Sequence, residues 1–443
     1  MSSPGKPLIN ESGPPDRWRM LAFVAFTYFL LVVHRKLVFY MQVPLIEELT
    51  GKAAENALTE VGLLDTVFLI PYGISQLFVS YLSDRFRRRK VLMYSLALSA
   101  GGMAVMGLVR NYNELVALRI MLGFAQAASV PAIAGILADC FTVKNRSIAI
   151  AIYNISLNGA YMVAGECGGK FADIGTIDHA WGLGIPSLTG WRMGMLCFAL
   201  LGAIWALAIC LFMREPERTD RDSNRGLGIE GANLWKTLYS VFAVPSFWVL
   251  AISFVLICIV ANSQDVFMAK YFFDNFGMSN EEAGQFSTLW KFSFTIVGLL
   301  VGGYVADRWA QRWRSGRTLV QVIGISLWVP SIYWLFNSES EYVARIMMIT
   351  IGFGYGLYVA NLWTTTFEVI DPAARSTAIG MLNVIGVAAA PATTIIGYLN
   401  DQKVLELDQS LAGMSLFAAI IVTLLLLNVT VLLRHDYRGP LAK

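Results

Sequence analysis

Residues 81–90 read Tyr81-Leu82-Ser83-Asp84-Arg85-Phe86-Arg87-Arg88-Arg89-Lys90, and 223 positions later the chain writes the start of that stretch again as Tyr304-Val305-Ala306-Asp307-Arg308. A second pair follows at nearly the same offset. Arg146-Ser147-Ile148-Ala149 returns 229 positions later as Arg375-Ser376-Thr377-Ala378, and each copy reaches an asparagine eight residues on, Asn154 and Asn383. Two echoes at nearly one spacing point to a duplicated chain. The composition says what was duplicated: of 443 residues, 56% are hydrophobic and only 15% are charged, where a soluble domain carries about a quarter. A soluble enzyme is therefore disfavoured. A nucleic-acid binder is disfavoured too, because 34 Lys and Arg against 31 Asp and Glu leave a net charge of only +3. The five cysteines sit in apolar stretches without CxxC or metal-ligand spacing, so no disulfide frame, metal or other cofactor is expected.

Apolar runs long enough to cross ~30 Å of hydrocarbon number twelve. They fall near 20–43, 59–82, 90–109, 113–138, 147–171, 191–213, 244–268, 282–305, 318–336, 343–368, 375–398 and 411–433. The first is too long for a removable leader and holds His34, Arg35 and Lys36, so it is expected to stay. Sorting the basic residues by side places 23 on the side of both termini and the central loop, seven opposite, and four within spans. That bias predicts cytoplasmic termini in a plasma or inner membrane. The expected organisation is an N-terminal bundle over 1–213, a cytoplasmic loop over 214–243, and a C-terminal bundle over 244–443. Duplicated halves around a midplane cavity are a recurrent transporter plan.

Asp84-Arg85-Phe86-Arg87-Arg88-Arg89-Lys90 resembles the helix 2–3 loop of the major facilitator superfamily, with Ser80 where the family pattern has glycine; the second copy keeps Gly303. Arg119, Gly123, Gln126 and Pro131 resemble that family's fourth helix. The resemblance spans roughly residues 20–433. It implies an all-α membrane protein of twelve helices in two pseudo-symmetric six-helix bundles, working by alternating access. It also implies a gating set at the cytoplasmic helix ends: Asp84, Arg85, Arg89, Asp139 and Arg146 in one half, and Asp307, Arg308, Glu368 and Arg375 in the other.

The charges inside the spans are a separate population. A charge at bilayer centre costs at least ~2.5–3.5 kcal/mol, so it should face a partner or a cavity. Depth counting brings Arg35 and Lys36 level with Asp65, and Arg119 level with Glu166, which predicts those pairs; Asp265 is a third acid that neutralises or couples. Arg119 and Gln126, seven apart, share a helix face. Lys291 adds a cation from the second half, and Asn154, Asn158 and Asn383 add amides, with Trp290 and Trp363 as apolar walls. Lysine offers a point charge and arginine a fork for carboxylate or phosphate, so the cavity reads as an anion site. A catalytic residue is not expected: there is no nucleophile elbow, and the three histidines are scattered.

Two branches of the family share this pattern. The anion:cation symporters have an Asp-Arg pair in helix 1 where this chain has Arg35-Lys36, and an acid seven residues after the helix 4 arginine, where it has Gln126. The organophosphate:phosphate antiporters match Arg35-Lys36, Gln126 and Asn158. Their helix 7 arginine has no counterpart, and their helix 5 histidine is Leu157 here. The expected function is secondary transport of a small organic anion, a carboxylate or sugar acid ahead of a phosphate ester, by proton symport or exchange for a counter-anion. The expected assembly is a monomer in the bilayer. The alternatives are a spinster-like lysolipid or multidrug exporter and a transporter-like membrane sensor.

Overall fold

The computed structural model describes residues 16–83, 86–141, 143–176, 187–215, 234–371 and 374–437. Asp84 and Arg85 lie outside the described residues, as does the side chain of Arg146.

The first half runs α1 (Arg17–Tyr40), the short α2 (Gln42–Thr50), α3 (Leu58–Ser83), α4 (Arg88–Met106), α5 (Tyr112–Gln126), α6 (Ser129–Cys140), α7 (Val143–Asp173) and α8 (Gly190–Phe212). The second runs α9 (Leu234–Phe242), α10 (Pro245–Phe276), α11 (Asn280–Ala310), α12 (Gly316–Phe336), α13 (Glu341–Val359), α14 (Leu362–Val369), α15 (Arg375–Gly386), α16 (Ala392–Asp401) and α17 (Leu407–Leu427). Among the described residues, eleven helical segments are long and apolar enough to cross a membrane. The twelfth expected span is α4, whose Arg88, Arg89, Lys90 and small residues dilute its apolar character. It still buries Leu92, Ser95, Leu96, Ser99, Gly102, Met103 and Met106, one helical stripe.

Three expected spans are interrupted rather than continuous. Pro131 lacks the amide that would bond the carbonyl of Ala127, and its ring crowds that carbonyl, so the fourth span divides into α5 and α6 at Ala127–Ala128. Pro391 acts likewise on Val387, where a 3₁₀ turn over Val387–Ala389 separates α15 from α16. The tenth span breaks at Ala360–Asn361, where the Asn361 amide donates to Leu357 O at 3.1 Å and Gly302 O at 3.4 Å. Each break puts irregular backbone at membrane depth, tolerated where protein covers it.

The halves meet along two crossings at one end, α3 on α16 and α7 on α11. Both need glycine. A Cβ on Gly62 would lie 2.2 Å from Thr393 O, and one on Gly165 would lie 2.5 Å from Gly284 O. Close backbone approach through small residues is the usual packing device between helices in lipid. An aspartate closes each crossing. Asp401, ending α16, accepts from the amides of Leu58 at 3.0 Å and Thr59 at 2.8 Å, and from the Thr59 hydroxyl. Asp173, ending α7, accepts from the amides of Asn280 at 3.1 Å and Glu281 at 2.8 Å. The two aspartates occupy corresponding places in the duplicated halves, each caring for the unpaired first amides of a helix in the other half.

Candidate functional site

Below this sealed end, roughly 10–16 Å down α3 and α11 at 1.5 Å per residue, the buried charges converge. Lys36 on α1 is 2% exposed, and its Nζ lies 3.8 Å from Asp65 Oδ1 on α3 and 3.7 Å from Asp265 Oδ2 on α10. Lys291 on α11 donates to Asp265 Oδ1 at 2.9 Å. Asp265 is thus held by cations from both halves. The expected Lys36–Asp65 approach is present, though at 3.8 Å the ammonium and carboxylate make no hydrogen bond.

The other expected pair is corrected. Glu166 does not meet Arg119: it accepts from Lys170 at 2.8 Å, one turn along the same helix, and both side chains are about half exposed. Depth counting gives a position along α7 and not a face, and Glu166 faces Lys170. Arg119 is fully buried on α5, and its fork is largely committed: Nε donates to Leu64 O at 3.0 Å and Nη1 to Arg35 O at 2.8 Å. Only Nη2 has no partner. Arg119 therefore offers one free donor rather than a bidentate clamp. It also fixes the backbone of α1 beneath Arg35.

Arg35 is the half-buried member. Its guanidinium lies over Tyr72 at 4.5 Å and Phe68 at 5.0 Å, with the Tyr28 and Tyr161 hydroxyls near it. Its contacts to Gln126 Oε1 are long, 3.3 and 3.4 Å. Gln126 is oriented from behind, because its amide nitrogen donates to Leu31 O at 3.1 Å and Ser99 Oγ at 2.9 Å. Ser99 in turn meets His34 Nδ1 at 3.1 Å, and His34 Nε2 meets Phe198 O at 3.0 Å. His34 thus serves this packing chain. Asn158 is buried and spends its amide on Asn154 O at 2.8 Å; Asn154 and Asn383 are half-buried. Trp363 stands against Phe254, whereas Trp290 lies under Arg345.

The sequence reading missed the tyrosines. Tyr28 stacks on Tyr153 at 4.5 Å, and Tyr161 stacks on Phe292 of the other half at 4.3 Å. A signal existed: Tyr28 lies seven residues before Arg35, and Tyr72 seven after Asp65, hence on the same faces.

At the end opposite the seal, Arg88 pairs with Asp139, and Arg89 donates its backbone amide to Glu215 at 3.1 Å and its guanidinium to Cys210 O. In the second half Arg317 bridges Asp307 at 2.7 Å and Glu368 at 3.3 Å. Arg308 meets the Tyr304 hydroxyl at 2.9 Å, and Arg375 lies over Phe367. Each of these ties stays within its own half.

A membrane protein of two duplicated helical halves, joined at one end and holding charges at mid-depth, belongs to the class of transport proteins. The model of the Major Facilitator Superfamily matches residues 24–394, and the chain belongs to that family. A hexuronate transporter of Escherichia coli K12 is 23% identical over 405 residues, 87% of this chain and 88% of that one. An MFS-type efflux pump of Mycolicibacterium smegmatis is 23% identical over 413 residues, covering 92% and 90%. Among solved structures, a bacterial homolog of the human lysosomal transporter Spinster, inward-facing and unoccupied, superposes with a TM-score of 0.79 at 19% identity, over 96% of this chain and 99% of that chain. The fold is the major facilitator fold, and the chain is an integral multi-pass membrane transporter whose relatives resemble the symporter and antiporter branches.

Proposed function

We propose that this chain carries a small organic anion across the membrane by alternating access, a carboxylate or sugar acid ahead of a phosphate ester, by proton symport or anion exchange. The observation that carries the reading is the charge excess at mid-depth. Arg35, Lys36, Arg119 and Lys291 face Asp65 and Asp265, leaving two positive charges uncompensated in a site where each costs several kcal/mol. An anion supplies the compensation. The free donors are Lys36 Nζ and Arg119 Nη2, two single points that suit the two oxygens of a carboxylate, with Arg35 as the cation an entering anion meets first. Gln126, Asn154, Asn158 and Asn383 supply neutral polar contacts. The hexuronate-transporting relative supports a sugar acid.

In this reading the bundles are 1–213 and 244–443, both termini are cytoplasmic, and the monomer is the working unit. The seal at Asp173 and Asp401 then faces outward, and the gating set of Asp84, Arg85, Arg89, Asp139, Arg146, Asp307, Arg308, Glu368 and Arg375 belongs to the cytoplasmic side, where the ties of Arg89 and Arg317 described above stay within each half. A second reading, export of an amphipathic compound, draws on the tyrosine and phenylalanine wall around Arg35 and on the efflux-pump relative.

The test is a thermal-shift screen of purified protein against carboxylates, sugar acids, phosphate esters and lysolipids. A ligand that binds the folded state raises the melting temperature by mass action. Stabilisation by sugar acids, lost in Lys36→Ala and Arg119→Ala, is expected. Stabilisation by lysolipids alone would overturn the anion reading.

A further inference from the structure

We infer that Asp65 is the proton-binding residue of this transporter, an assignment that rests on the anion-transport reading above for its coupling role but not for the proton site itself. Among the described residues, Asp65, Glu166 and Asp265 are the acids read above as candidates for coupling, and geometry separates them. Glu166 is half exposed and tied to Lys170, which also reaches Glu281 at 3.6 Å. Asp265 accepts a 2.9 Å hydrogen bond from Lys291 and stands 3.7 Å from Lys36, so cations from both halves face it. Asp65 differs from both. It is fully buried, neither carboxylate oxygen receives a hydrogen bond, and the nearest cation, Lys36, is 3.8 Å away and shared with Asp265.

The charged groups facing Asp65 are Arg35 and Lys36 on α1, Arg119 on α5 and Asp265 on α10. From the α15–α16 side, the hydroxyls of Thr393 and Thr394 approach Thr66, the next residue along. A buried carboxylate without donors is costly, and its partners here are the same cations that an anionic substrate would recruit. When substrate takes Lys36 and Arg119, Asp65 loses its counter-charges. A proton from solvent then forms an O–H bond on Asp65, and that bond breaks again when the site opens to the other side and the anion leaves. Binding of proton and anion is therefore mutually reinforcing. The charge balance agrees: the entering carboxylate becomes the counter-charge of Lys36 and Arg119 as the proton neutralises Asp65, so the loaded carrier moves no more charge than the empty one.

The experiment reads the carboxyl group directly. Infrared difference spectra of the purified protein between pH 5 and 9, without substrate, should contain a protonated-carboxyl band that titrates in the wild type, shifts in Asp65→Glu and is missing from Asp65→Asn. If Asp65→Asn fails to fold, the shift in Asp65→Glu carries the assignment. A wild-type spectrum without such a band, or a band unaltered by both substitutions, overturns the proton site. The second arm adds sodium glucuronate to a weakly buffered sample. The wild type should take up protons and gain affinity up to about tenfold per unit fall in pH, whereas Asp65→Asn should bind glucuronate with no pH dependence. Glucuronate binding without proton uptake overturns the coupling. A protein that titrates at Asp65 yet binds no anion leaves the proton site standing and places the failure with the anion reading alone.

Discussion

The seal and the charged layer beneath it use the same residue types to opposite ends. At the seal, Asp173 and Asp401 each accept at least two backbone amides of a helix from the other half, and glycines let the backbones touch. Beneath it, Asp65 accepts nothing, Lys36 makes no hydrogen bond and Arg119 keeps Nη2 idle. Buried polar groups are ordinarily satisfied, and unsatisfied ones mark strain or function. The comparison teaches where each half of a transport cycle is stored. The seal holds one conformation through satisfied contacts, and the layer below keeps donors in reserve for a ligand.

The sharpest way to break this contrast is to enter the seal with bulk. Gly62→Val, whose side chain would collide with Thr393 O, should cost the sealed conformation about 1–3 kcal/mol or more. Uptake should fall at least tenfold while the detergent-solubilised protein remains folded, with cysteine-accessibility labelling at the seal rising. Next, Arg35→Gln removes the half-buried cation and should weaken anion binding on the order of tenfold to a hundredfold, the scale of a charged hydrogen bond at ~1.5–3 kcal/mol. Isothermal titration with the anion found by thermal shift measures it, with the melting temperature read alongside because Arg35 also rests on Tyr72 and Phe68. Asp401→Ala and Asp173→Ala should each cost the seal about 1 kcal/mol, the usual worth of a helix cap. Their effects on the accessibility ratio should add in the double variant, since they close separate crossings. The smallest effect belongs to Glu166→Gln, whose pair with Lys170 is half exposed and worth at most ~0.5 kcal/mol; transport should stay within about twofold.

Much of the fold was legible in the sequence, because twelve apolar runs and two echoes at 223 and 229 positions are long-range signals that tolerate error in any one residue. The breaks near Pro131 and Pro391 were overlooked for the opposite reason: total apolarity says nothing about a single missing amide. For the site, depth counting brought Lys36 and Asp65 to one level and misplaced Glu166, because level is fixed by rise along a helix whereas facing depends on rotation and tilt. The role of Arg119 was half visible. Its charge and depth could be read, but the carbonyls of Leu64 and Arg35 that occupy its fork belong to neighbouring helices and leave no pattern along the chain. Arg317 was hidden in the same way, its partners Asp307 and Glu368 lying in two other segments.

The central claim is that the excess of cations at mid-depth binds the carboxylate of the transported anion. Uptake of radiolabelled glucuronate and other sugar acids into proteoliposomes, compared between wild type and Lys36→Gln, tests it most directly. The account predicts saturable uptake by the wild type that falls at least tenfold in Lys36→Gln, with the variant still folded. Undiminished uptake of every anion by Lys36→Gln would contradict it.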